Sequence, residues 1–145
     1  MNSKLDYKTM DDGKDKYHDI VEQIGVPIDI GCAENYVKNS IEYAYSISPH
    51  KRIRVVKDWQ WWDVVFTELH LETVENNGLL PSLIFCENLV YDSRLFMTMS
   101  GGRVRTSLLQ KFHKKYSLFE TINSHYILCG SGQRKTVKSE LIFND

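Results

Sequence analysis

Residues 100–138, SGGRVRTSLLQKFHKKYSLFETINSHYILCGSGQRKTVK, constrain the fold of this chain more than any other stretch. Turn-forming residues punctuate it at Gly101-Gly102, Ile122-Asn123-Ser124 and Gly130-Ser131-Gly132, and the apolar strings between them have the length of strands. The block therefore predicts a hairpin-rich β framework. It also holds the densest positive charge. Residues 101–145 carry 8 Lys/Arg against 3 Asp/Glu, whereas residues 1–50 carry 5 against 9 and residues 51–100 carry 5 against 7. With an overall net charge of −1, this layout implies either a basic surface on an acidic body or pairing of the two segments within the monomer.

A chain of 145 residues with 42% hydrophobic and 26% charged content reads as one domain, with residues 1–13 polar and frayed. No run approaches ~18 consecutive apolar residues, and the first residues lack the apolar centre of a secretory signal. The expectation is a cytoplasmic protein with no membrane contact. Cys32, Cys86 and Cys129 lie too far apart for a CxxC pair or a disulfide framework and read as buried free thiols.

Periodicity outlines the elements. Tyr17, Ile20, Val21 and Ile24 recur at helical spacing from residue 14, and Gly25 and Pro27 stop the run. A second helix over residues 33–45 places Val37, Ile41, Ala44 and Tyr45 on one side. Residues 51–57 read as a strand. Two periods compete over residues 58–75: Trp62, Val65, Phe66 and Leu69 predict a helix through Leu69 and on toward Val74, whereas residues 68–72 alternate as a strand does. After the break at Asn76-Asn77-Gly78, strands are expected over 83–91, 95–99 and 103–106. A short helix follows, from the Ser107/Gln110 capping signature with Leu108, Leu109, Phe112 and Tyr116 buried, and then strands over 118–121, 125–129 and 136–143. The fold class is α+β: two N-terminal helices, then a mostly antiparallel sheet of about four to six strands with one or two short packed helices.

Three segments, Val90-Tyr91-Asp92-Ser93-Arg94, residues 102–107 and residues 118–135, together resemble an uncharacterised family of small bacterial proteins, a domain of unknown function. Its pattern is VYDSR, then G and VRTS, then LFETxNxxYxLxGxGxRK, and the resemblance covers residues 62–138. The family commonly has an arginine after Glu-Thr and a tryptophan before Val-Arg, where this chain has Ile122 and Arg103. The resemblance implies a single α+β unit and no particular activity.

Several residues invite a functional reading. Gly130 to Thr136 could offer backbone N–H groups to an anion beside Arg134 and Lys135, yet the spacing is not that of a phosphate-binding loop, and a hairpin turn with a solvated basic flank is the plainer account. Arg103, Arg105, Lys111, Lys114, Lys115, Arg134 and Lys135 could form a nucleic-acid patch, with Tyr116, Phe119 and Tyr126 stacking on bases or packing inward. Glu120, in an apolar-flanked hairpin, would bind turn N–H groups or an arginine such as Arg105; the functional alternative is a general base with Arg105 as anion holder. His125 and Cys129 lie about 13 Å apart along a strand, too far for a thiol and its base, although Cys86 could meet His125 or His113 across strands. His18, His50, His70, His113 and His125 form no metal-ligand spacing, and no cofactor is implied. Trp59, Trp61 and Trp62 cannot all face one core, so at least one is expected at the surface, either as an interface anchor, with Trp59 and Trp61 the candidates, or as a cap over an end of the domain's own sheet.

The function expected from this is that of a small non-enzymatic protein that binds a protein partner through Trp59, Trp61, Arg103, Arg105, Glu120, Arg134 and Lys135. An accessory or inhibitory role in bacterial or mobile-element conflict is one setting. The alternatives are nucleic-acid or nucleotide binding by the basic C-terminal third, and a Cys/His-dependent enzyme.

Overall fold

The computed structural model describes residues 16–94, 97–98 and 102–143. In chain order the elements are α1 (His18–Glu22), β1 (Val26–Ile28), a 3-10 turn (Glu34–Tyr36), α2 (Val37–Ile47), β2 (Arg52–Val65), α3 (Glu68–Asn76) and β3 (Ser82–Asp92). There follow β4 (Met97–Thr98), β5 (Val104–Arg105), β6 (Lys111–His113), a 3-10 turn (Lys114–Tyr116), β7 (Leu118–Glu120), β8 (Ser124–Leu128), β9 (Gly132–Lys138) and α4 (Ser139–Phe143). The architecture is α+β with a sheet core and few helices.

Strand β2 is the spine, and its run of Val, Ile and Trp suits a pleated surface buried on both sides. One edge pairs antiparallel with β3. The other edge is shared in series, parallel to β8 along Arg52 to Val56 and parallel to β9 from Trp59 to Val65. Asp58 adopts left-handed backbone (φ 52°) at the handover. It uses up one residue of the alternation, so Val56, Trp59 and Trp61 share one cluster although Val56 and Trp59 are three apart.

The sheet closes on itself. Thr106 N donates to Ile84 O (2.9 Å), Leu109 N to Ser82 O (2.9 Å) and Gln110 N to Glu120 O (2.7 Å), so the chain from β5 into β6 joins the edge of β3 to β7. Closure brings Trp61 edge-on to Phe119 (5.0 Å between ring centroids) and to Phe112 (5.2 Å). In a flat sheet, the three ladders between β2 and β6 would hold those strands about 14 Å apart. The enclosed core is Val56, Trp59, Trp61, Ile84, Cys86, Leu89, Leu109, Phe119, Tyr126 and Leu128.

Two further clusters cover the outside. At one end α1 and α4 lay Tyr17, Ile20 and Ile142 over Trp62, Val64, Leu83, Phe85 and Val137, with Trp62 stacked on Phe85 at 5.2 Å. At the other end α2 sets Ala44 on Ile53, Val55, Leu118, Ile127 and Cys129.

Four expectations are corrected. Residues 58–65 are strand, because both faces of β2 are buried and alternation is masked; the helix begins only at Glu68, where Thr67 Oγ1 accepts from His70 N (3.3 Å). The Ser107/Gln110 signature opens no helix, since those residues are drawn into the closing ladder. The final strand starts at Gly132 and gives way to α4. The sheet has nine strands among the described residues and not four to six; it is mostly antiparallel as expected, with β2 parallel to β8 and β9. Of the first expected helix, the described residues include only His18–Glu22 as helix. Most of the expected 95–99 strand and Gly101 lie outside the described residues.

Candidate binding groove

Glu120 sits on β7 between Lys111 on β6 and His125 on β8. Its Oε2 accepts from Lys51 Nζ (2.6 Å), and Oε1 lies 2.7 Å from His113 Nε2. Lys51 also donates to Gln110 Oε1 (3.0 Å) and Thr121 O (2.8 Å), so all three ammonium protons are engaged. Burial alone would raise the Glu120 carboxyl. The hydrogen bonds from Lys51 and His113 outweigh it and bring the group from 4.5 to about 2. His125 is fully buried, its Nε2 3.5 Å from Glu120 Oε2 without a hydrogen bond to either ring nitrogen. Burial holds its pKa below 6.5 against the pull of Glu120.

The far side of His113 leads to the surface. Its Nδ1 lies 3.1 Å from the Tyr43 hydroxyl of α2. The Tyr43 ring stacks on Tyr116 (3.9 Å, 9°), which stacks on Tyr36 (6.3 Å, 23°). Ser40 Oγ, also on α2, donates to Tyr116 O (2.8 Å) and ties the 3-10 turn to the helix. Between them lies an open groove of about 350 Å³ lined by Tyr36, Asn39, Glu42, Tyr43, Ser46, Lys115 and Tyr116. Another depression, on α3, is lined among the described residues by Glu68, Leu69 and Glu72 of that one helix. The tyrosine groove is the better site because two elements converge there on a locked polar array.

The sequence-predicted residues are dispersed. Glu120 opposes Lys111 in the β6–β7 ladder, Lys115 lines the groove, and the partner of Glu120 is Lys51 and not Arg105. Glu120 pairs through His125 to Ile53 of β2, whereas Arg134 and Lys135 oppose Trp61 and Trp62, up to about 30 Å further along that strand. Arg134 donates to both Asp63 oxygens (2.6 and 3.0 Å) and covers the Trp61 ring. Lys135 is buried, and Nζ donates to the Ile20 (2.9 Å), Val21 (3.4 Å) and Gln23 carbonyls at the end of α1. Arg105 donates to Tyr17 Oη (3.0 Å), beside the same helix, and Arg103 pairs with Glu87 (3.3 Å). On the flank of the Gly130 turn Arg134 is thus exposed and ion-paired, as a solvated flank would be, whereas Lys135 is buried.

Trp59 and Trp61 are not surface anchors. They are 1% and 6% exposed, and Trp62 is fully buried. The conflict of three indoles in four positions resolves because β2 has cores on both faces. Neither Cys86 nor Cys129 meets a histidine: Cys86 opposes Trp59 and Val104, and Cys129 opposes Cys32.

The Val90 to Arg94 motif serves the fold. Asp92, 1% exposed, accepts from Arg52 and Arg54 and from Arg94 N (3.1 Å), and Ser93 Oγ accepts from Ile53 N (2.9 Å). Sequence reading missed Tyr36, Tyr43 and Lys51, and weighed His113 only as a partner for Cys86. Tyr36 and Tyr43 are seven apart, a spacing that puts both on one helix face; nothing local marks Lys51.

No curated protein and no solved structure matches the chain. A family model matches residues 29–144, wider than the 62–138 of the motif resemblance and leaving α1 and β1 outside. On that match, the chain belongs to the family described as Domain of unknown function (DUF6957).

Proposed function

We propose that this chain is a non-enzymatic binding protein that acts by occupying a protein partner through the groove between α2 and the Lys114–Tyr116 turn. The carrying observation is the stacked Tyr36, Tyr116 and Tyr43 array, held at its inner end by His113 and Glu120. Tyrosines fixed in this way present large amphipathic surfaces with little ordering entropy left to lose, and Asn39 and Ser46 beside them offer adaptable hydrogen bonds. Glu42 in the groove wall disfavours a phosphate backbone there. Of the seven cations considered for nucleic acid, Arg103, Arg105, Arg134 and Lys135 are engaged within the fold.

Tagged protein serves as bait in a lysate of the source cells, beside Tyr36→Ala, Lys115→Glu and the α3 control Glu72→Lys. The reading requires a stoichiometric protein partner retained by wild type and control and lost by both groove variants. Equal capture by all four, or capture abolished by nuclease, would refute it.

A further inference from the structure

Cys32 and Cys129 are separated by most of the chain yet face each other directly. They form a parallel bridge in which Cys32 N donates to Leu128 O (2.8 Å) and Cys32 O accepts from Gly130 N (2.9 Å). Paired residues of a ladder project to the same side, and both side chains enter the cluster beneath α2. Ladder strands run about 4.8 Å apart, inside the roughly 4.4–6.8 Å between α-carbons that a disulfide spans. The backbones are pressed together beside the pair: a Cβ on Gly31 would lie 1.9 Å from Gly130 O. Burial raises both thiols, and at Cys32 the adjacent Cys129 sulfur adds to the rise. Cys86 stands apart, wholly buried and pushed up to about 11.

We propose that Cys32 and Cys129 are a modification site, a dithiol that a small two-electron oxidant of the peroxide class converts to an intramolecular disulfide. Cys32 is the entry point because it is 9% exposed against 2% for Cys129. Its thiolate attacks one peroxide oxygen; the O–O bond breaks, Cys32 becomes a sulfenic acid, and the departing oxygen takes up the thiol proton as water. Cys129 sulfur then attacks Cys32 sulfur, the S–O bond breaks, and the hydroxyl leaves with the Cys129 proton as a second water. Two thiols and one hydrogen peroxide give one disulfide and two waters. The bond fastens the segment before the Glu34–Tyr36 turn to the end of β8, under Tyr36, Tyr43 and Tyr116, which pack on the same cluster. Stiffening of the groove rests on the binding reading above; formation of the disulfide does not.

The test treats reduced, folded, full-length protein with hydrogen peroxide and follows intact mass and tryptic maps. Expected are the loss of two hydrogen masses, linkage of peptide 17–38 to peptide 116–134, a Cys86 that still alkylates after denaturation, and reversal by dithiothreitol. Cys86→Ser retains the linkage, and Cys32→Ala or Cys129→Ala removes it. Should an alanine variant fail to fold, the wild-type map decides. Addition of oxygen without a link, a bond to Cys86, or linkage that appears only in denaturant overturns the proposal. Failure of the groove is read separately, from the partner capture of its variants.

Discussion

Trp59 occupies the space that a side chain on Gly132 would need: a Cβ there would come within 2.4 Å of the indole ring. The indole is also tethered, since Nε1 donates to Cys129 O (3.2 Å). Gly132 is thus explained by packing and Gly130 by its left-handed backbone (φ 80°), and no anion is required.

Gly132→Ala is therefore expected to lower stability by about 1–3 kcal/mol, the usual cost of overpacking a closed core. Urea unfolding followed by tryptophan fluorescence measures it. Ser131→Ala, one residue away and exposed, serves as the control and should change stability by less than about 0.5 kcal/mol.

Lys51→Met leaves the Glu120 carboxylate with fewer partners in a half-dry site and should cost about 3 kcal/mol. Adding Glu120→Gln should recover part of that loss. A double-mutant cycle with a coupling indistinguishable from zero would show that the pair contributes nothing.

Acid should weaken the fold in two stages. His125 has a folded pKa below its ordinary 6.5, so the unfolded chain takes up that proton first and stability falls as pH drops below about 6.5. The decline from this group ends once the folded ring itself protonates. Glu120, at about 2 folded against 4.5, adds a second loss as pH falls from 4.5 through 2, on the order of 2–3 kcal/mol. Urea midpoints taken from pH 8 to pH 3 should show the first stage, and His125→Gln should flatten it.

Lys135 holds the end of α1 through carbonyls of Ile20, Val21 and Gln23. Lys135→Ala removes those donors while the sheet keeps its ladders. Hydrogen exchange should quicken over residues 18–24 and stay unchanged in β3 and β8, with a local loss of about 1–3 kcal/mol. Equal acceleration in β8 would mean that Lys135 supports the whole core.

Elements whose burial is one-sided or whose ends carry turn chemistry were legible. The face of Val37, Ile41 and Ala44 announces α2, the apolar run ending at Asp92 announces β3, and the Ile122 to Ser124 turn announces the β7–β8 hairpin. Strand β2 was not, because Trp59, Trp61 and Trp62 are buried on opposite faces and Asp58 breaks the alternation, leaving a spacing that imitates a helix. In the site, Glu120 was legible as a carboxylate in an apolar hairpin. Lys51 and Tyr43 were not, since they come to it from other segments of the chain.

The sequence by itself determined the α+β class, the hairpin framework of the C-terminal third and the family membership, because each rests on residues a few positions apart. Only the tertiary structure decided that the tryptophans are internal, that the basic side chains clamp α1 and Asp63, that Cys32 meets Cys129, and that the tyrosines gather beside Glu120. Those facts depend on how a curled sheet closes, and closure is set by the combined burial of many distant residues, which no local pattern encodes.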